Sequence, residues 1–431
     1  MARRILLNLA AALALTTTSI NAQSTGTGTQ GQGLHSLFVA SGKLFFGTAT
    51  DVNNVNDAPY QAILNNPNEF GMIVPENSQK WEAVQPTEAK FTFANADSLV
   101  TRAKAAGQQF RCHTLTWHSQ LPPFISATAW TRATLTAALE THIANVMGHF
   151  KGSCYSWDVV NEALAEDGTF REDVFLQVLG TDYLAISFRA AAKADPATKL
   201  YYNDFNLETT KAKADGAVGI VQLLQKAGVR IDGVGFQAHF TVGGTPSQKS
   251  LVATLEKFTS LGMDVSWSEL DIAHKNMSTA TSASALSQQA SDYVAAVGAC
   301  LAVPKCVGIT VWQFTDKYSW IPNTFPGMGD ACLYTANYTK KPAYFAVASL
   351  LASAAGNSTK TIGGNTTALS STPVSTSAAV TLSTAGPSGS ATTVPVEGAA
   401  TSPVRSGGSQ AFASQFGALL WSLVAVAVFL L

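Results

Sequence analysis

Cys154–Ala163 reads CYSWDVVNEA, and the shape of this stretch decides the fold. Tyr155 to Val160 is mainly aromatic and β-branched. Two polar residues, Asn161 and Glu162, close it with little reason to follow a buried strand. A strand covered on both faces reads as a near-continuous apolar run. A carboxylate at its C-terminal end stands where an α/β barrel places its chemistry. Met263–Ile272 (MDVSWSELDI) has the same shape, with Glu269 at the end of its apolar run.

Six further short apolar runs flank these two: Leu44–Ala49, Phe70–Pro75, Phe110–Trp117, Lys199–Asn203, Gly233–Ala238 and Val307–Phe314. Amphipathic segments alternate with them, among them Asn95–Ala106, Thr134–Phe150, Ala212–Ala227 and Ser284–Leu301. Gly107 and Gly228 follow two of these as helix stops. Eight strands alternating with helices predict an α/β fold, a (β/α)8 TIM barrel in one catalytic domain over residues 35–352. The alternative is a doubly wound open sheet, but no glycine fingerprint opens the first βα unit. Two glutamates at strand ends are the minimum equipment for glycoside hydrolysis.

The 431 residues suffice for one large α/β domain with extensions. A net charge of -1 gives no electrostatic case for nucleic acid. Residues 1–22 start with a short basic segment and an apolar run (MARRILLNLAAALAL), which predicts a secretory signal peptide cut after Ala22. A Ser/Thr/Gly/Gln linker follows over residues 23–34. Residues 353–409 form a Ser/Thr-rich stretch expected to be a disordered, O-glycosylated stalk. Residues 410–431 end in an uncharged apolar run shorter than a membrane span. With the small residues Ser406, Gly407 and Gly408 before it, that run reads as a GPI-anchor signal, with lipid attached at Gly407 or a neighbour. The expected location is extracellular, tethered to the cell membrane with possible transfer to the wall, or secreted outright. Sequons stand at Asn276, Asn337, Asn357 and Asn365.

Five cysteines permit two disulfides and leave one thiol. Cys300 and Cys306 are expected to pair. Cys112 is placed near the end of one strand and Cys154 at the start of another. Opposite ends of parallel strands lie on the order of 20 Å apart, too far for a disulfide, so these two are expected to be unpaired buried thiols. No His or Cys spacing suggests a metal site and no phosphate loop appears, so neither metal nor cofactor is expected.

Seven motifs sit at the ends of the predicted strands: VPENSQKW (Val74–Trp81), CHTLTWHSQLP (Cys112–Pro122), WDVVNEA (Trp157–Ala163), YNDFN (Tyr202–Asn206), GVGFQAHF (Gly233–Phe240), SELDI (Ser268–Ile272) and VWQFTDKYSW (Val311–Trp320). Together they resemble the family 10 glycoside hydrolases, retaining endo-β-1,4-xylanases of fungal type. The resemblance covers about His35 to Leu351. It implies Glu162 as general acid/base and Glu269 as nucleophile, with xylan and xylo-oligosaccharides as partners and a monomeric state. It further implies that His239, oriented by Asp271, donates to Glu269, and that Asn161 bonds the 2-hydroxyl of the sugar being cleaved. Glu76, Asn77 and Lys80 would hold glycone sugars. His113, Trp117, Gln120 and Gln237 would line the same pocket. Trp312 and Trp320 would stack on sugar faces, and Asn203 and Asn206 would support the leaving-group side.

The chemistry fits that division. An acid active where a free glutamate is ionised needs a raised pKa, whereas the nucleophile must stay charged. Retention needs the two carboxyl groups about 5–5.5 Å apart. His118, His142 and His149 are left as packing or surface residues. Four positions depart from the family pattern: Gln79 for Met, Trp267 for a smaller aliphatic residue, Gln313 for Gly, and Cys332 for an aliphatic residue. Gln313 borders the pocket and bears on subsite preference. The rival readings are a barrel β-glucanase using the same two glutamates and a non-catalytic wall-polysaccharide-binding protein.

Overall fold

The computed structural model describes residues 32–278 and 282–363. Nine strands occur in this range: β1 (Phe45–Thr50), β2 (Met72–Pro75), β3 (Gln109–Trp117), β4 (Ser156–Asn161), β5 (Lys199–Asp204), β6 (Gly233–Phe236), β7 (His239–Thr241), β8 (Asp264–Ala273) and β9 (Cys306–Val311). Each of β1 to β5 pairs in parallel with the next. β6 then pairs with β8, β8 with β9, and β9 with β1. Eight strands thus close into a barrel. The short β7 pairs only with the far end of β8, His239 opposite Asp271.

Burial explains the composition of the strands. Every residue of β1, β2, β4 and β6 is buried, because the barrel interior covers one face and the helices cover the other. The helices turn apolar stripes inward. Helix Arg132–His149 buries Leu135, Leu139, Ile143, Val146 and Met147, and Thr131 and Thr134 form a capping box at its start. Gly107 and Gly228, at φ +71° and +65°, follow the ends of helices Ala94–Ala105 and Lys211–Lys226. That left-handed conformation is why glycine ends them.

One sequence expectation is overturned. Cys112 and Cys154 form a disulfide, their Cα atoms 5.7 Å apart. β3 begins at Gln109, so Cys112 lies in its first half, and the register sets Cys112 beside Trp157 on the neighbouring β4. Both cysteines therefore sit toward the same end of adjacent strands. Cys300 and Cys306 form a second disulfide, and Cys332 is a buried free thiol. Asn276 and Asn337 are exposed, and Asn357 falls within helix Pro342–Gly363. Asn365, Gly407 and the segments 1–22 and 410–431 lie outside the described residues.

Candidate active site

Three strands lose regular register just before the barrel mouth: β3 between His113 and Thr116, β4 between Asp158 and Val160, and β8 between Trp267 and Leu270. Such irregularities re-aim side chains. Here they turn the ends of β3, β4 and β8 toward a common space. Glu269 sits within the β8 irregularity. Glu162 follows β4 directly and has left-handed backbone at φ +56°. Its N–H donates to the carbonyl of Asn203, and its carbonyl accepts from Arg171 Nε at 3.1 Å. The surroundings over-determine a conformation that costs a non-glycine residue about 1–3 kcal/mol.

The Glu162 carboxylate accepts from Trp117 Nε1 at 2.8 Å, Gln237 Nε2 at 3.0 Å and Asn161 Nδ2 at 3.3 Å. Glu269 accepts from Asn203 Nδ2 at 2.8 Å, and His239 Nε2 stands 3.4 Å away. Asn203 also donates to Asn161 Oδ1 at 2.8 Å, so a chain of amides links the two carboxylates. The other ring nitrogen of His239 lies 3.0 Å from Asp271, whose second oxygen accepts from Trp320 Nε1 at 2.8 Å.

Burial alone would raise the Glu269 carboxyl. The His239 hydrogen bond and the charges of His113, His239 and Arg111 outweigh it and hold the group well below the usual carboxylate range. His239 is correspondingly held above the usual imidazole range: burial opposes this, but Asp271 and Glu269 overcome it.

On the β1–β2 side, Lys80 Nζ donates to Gln120 Oε1 at 2.7 Å and Asn77 Oδ1 at 3.0 Å, and lies 4.7 Å from the Trp117 ring centre. Glu76 accepts from Gln313 Nε2 at 2.8 Å. Trp312 is buried with Phe45, Ala49, Met72 and Val74, its ring edge-on to His113. The mouth thus brings together Glu76, Asn77, Lys80, His113, Trp117, Gln120, Asn161, Glu162, Gln237, His239, Glu269, Asp271, Trp312 and Trp320.

Several contributors escaped sequence reasoning. Asn203 bridges the two carboxylates, where the motif had suggested a supporting place on the leaving-group side. Arg111 and Asp158 are paired inside the barrel; Arg111 Nη1 donates to Ser268 O at 2.7 Å, and Asp158 accepts from His113 at 2.8 Å. A charge at alternate positions of a buried strand was the available signal. Asp51 accepts from the backbone N–H groups of Asn77 and Ser78 and so shapes the loop after β2. His118, expected from the sequence to be structural or solvent-facing, lies 3.9 Å from Glu162, and burial lowers it to about 4, which keeps it neutral at physiological pH. Asn206 instead donates to Glu166 at 2.9 Å. His142 is buried, stacked on Trp81, and His149 pairs with Asp97.

A closed parallel barrel that sets two glutamates among amide and imidazole donors at the carboxyl ends of its strands has the architecture of a glycoside-cleaving enzyme. The chain belongs to glycosyl hydrolase family 10, whose model matches residues 33–350. It is 61% identical over 324 residues to endo-1,4-beta-xylanase 5 of Pyricularia oryzae, covering 75% of this chain and 80% of that protein. The endo-1,4-beta-xylanase XylE of Penicillium canescens superposes with a TM-score of 0.72 at 38% identity, covering 74% of this chain and 98% of the other. The family 10 xylanase of Bispora sp. MEY-1, solved with xylobiose, gives 0.71 at 39% identity, covering 74% and 99%.

Proposed function

We propose that this protein is an endo-1,4-β-xylanase that hydrolyses internal β-1,4-xylosidic bonds by retaining double displacement. The observation that carries the mechanism is a pair of buried carboxylates joined through Asn161 and Asn203, with His239 and Arg111 beside Glu269. Glu269 is held ionised by Asn203, His239 and the nearby Arg111, as a nucleophile must be. Glu162 stands across the amide chain from it, beside the loop that follows β4.

In the first step a Glu269 oxygen attacks the anomeric carbon, and Glu162 gives its proton to the departing glycosidic oxygen. A xylosyl ester on Glu269 results. In the second step Glu162 takes a proton from water, whose oxygen displaces the ester and frees the Glu269 carboxylate. Asn161 bonds the 2-hydroxyl of the sugar being cleaved, a role that its hydrogen bond from Asn203 supports. Relatives that are named xylanases, one of them solved with xylobiose, support xylan as the substrate class.

The test follows arabinoxylan cleavage by reducing ends and by NMR of the new anomeric centres. Early β-anomers are expected. Glu269→Ala should lose on the order of 10⁴–10⁶ in kcat, the scale seen when a covalent nucleophile is removed. Early α-anomers would mean inversion and overturn the assigned roles.

The proposal extends to location. The leader-like start, the Ser/Thr-rich stretch and the apolar end support export and a GPI lipid at Gly407 or its neighbours. Release of activity from intact cells by a phosphatidylinositol-specific phospholipase is the expected result, and activity already free in the medium would contradict it.

A further inference from the structure

Gln313 is a buried polar residue with left-handed backbone, at φ +72° directly after Trp312. That conformation is disfavoured for any side chain with a Cβ and persists where the surroundings hold it. Both ends of the Gln313 amide are engaged. Its Nε2 donates to Glu76 Oε1 at 2.8 Å, and its Oε1 accepts from the Tyr60 hydroxyl at 3.1 Å. Tyr60 is fully buried on helix Ala58–Leu64, and its hydroxyl lies 2.9 Å from Thr50 Oγ1 at the end of β1. An ionised Glu76 can only accept, so it takes the NH2 end of the amide, and the carbonyl end is left to accept from the Tyr60 hydroxyl.

Glu76 directly follows β2, at the same mouth as Glu162 and Glu269. The motif that carries Glu76 implies that it holds the retained sugars, while Glu162 protonates the leaving one. We propose that Gln313 is a positioning residue for glycone recognition, holding one oxygen of Glu76 so that the other is presented to the hydroxyls of the sugar beyond the one being cleaved. This rests on the xylanase reading above and deepens it.

The electrostatics bear on how the device would be seen. Burial and the charge of Asp51 push the Glu76 carboxyl up to about 7, while the Gln313 bond and Lys80 pull it down. The groups that face it are Asp51 after β1, Lys80 after β2, Tyr60 and Gln313. Hydrogen bonding to the charged form favours ionisation, so loss of the Gln313 amide raises Glu76 further. An ionised Glu76 accepts from sugar hydroxyls better than a protonated one.

The experiment compares kcat/KM for an aryl β-xylobioside with that for an aryl β-xyloside across pH, in the full-length wild type and in Gln313→Gly. The ratio of the two isolates the outer sugar. Gly accepts a positive φ freely, so a residue with only a packing role would leave the ratio unmoved. The ratio is expected to fall about tenfold in Gln313→Gly, as for one lost hydrogen bond to a charged acceptor, and its acid limb is expected to move to higher pH. An equal loss on both substrates, or a ratio with its wild-type magnitude and pH midpoint, overturns the proposal. Tyr60→Phe keeps the amide but frees it to rotate and should lower the ratio in the same direction; it decides the matter if Gln313→Gly does not fold, and an unchanged ratio then overturns the proposal. If the wild type cleaves neither glycoside, the xylanase reading falls. The inference is then read from xylotriose binding by calorimetry, where equal affinity of wild type and variant overturns it.

Discussion

At the scale of single residues, the site is governed by who donates to each carboxylate. The His239 hydrogen bond and charge help to hold the Glu269 carboxyl down, so in His239→Ala that group titrates higher. Glu269 must be ionised to attack. The acid limb of kcat/KM is therefore expected to move to higher pH in this variant, as a pH–rate profile would show; an unmoved limb would remove His239 from this role. Asn203 donates to both Asn161 and Glu269. Asn203→Ala should lower kcat about 10–100-fold, the range for one hydrogen bond to a charged group. The main catalytic candidates were legible because a glutamate after an apolar run is conspicuous. Asn203 was visible in its motif, but its bridging role was not, since that role exists only where β5 lies between β4 and β6.

At the scale of elements, β3 and β4 are joined by more than their ladder. The Cys112–Cys154 disulfide spans 42 residues of chain, including helix Arg132–His149. Chain-entropy bookkeeping for such a loop gives about 4 kcal/mol, against about 2 kcal/mol for the six-residue separation of Cys300–Cys306. Denaturant unfolding of a Cys112→Ala/Cys154→Ala double variant should show the larger loss; equal losses in the two double variants would count against the loop-length account. Strand number and order were readable from the apolar runs. So were the strand starts, β3 being expected from Phe110 and found from Gln109; the error was to place Cys112, the third residue of that run, near its end.

At the scale of the whole molecule, buried acids set how stability depends on pH. Burial raises Glu76 and Glu208 to about 7, and Asp204 and Asp316 to about 6. Each lies above its unfolded value, so each contribution is fully present below the ordinary carboxylate pKa and is lost as pH rises through the folded one. His239, held above the usual imidazole range, has the same sign. Burial lowers His118 to about 4 and His142 to about 3, which gives the opposite sign, but those contributions are complete once pH exceeds about 6.5. The melting temperature is therefore expected to fall between about pH 6.5 and pH 8. Calorimetric scans in that window check it, and a rise would contradict the assigned shifts. On the acid side, Glu269 is held low, so its contribution is lost as pH falls below the ordinary glutamate value.

Periodicity and strand-end chemistry were enough to specify a (β/α)8 barrel and its two glutamates, because alternation of apolar runs with amphipathic helices and the placing of charge at strand ends are local properties of the chain. Side-chain partners are not local. The Asn161–Asn203–Glu269 chain, the Arg111–Asp158–His113 cluster and the Tyr60–Gln313–Glu76 relay each join residues from different strands or loops: the register of adjacent strands sets Asn161 beside Asn203 and His113 beside Asp158, and the pairing of β9 with β1 that closes the barrel brings Gln313 to Tyr60 and Glu76. Register decided the Cys112–Cys154 pairing in the same way: a shift of a few residues along a strand moves a side chain by a large part of the barrel's height.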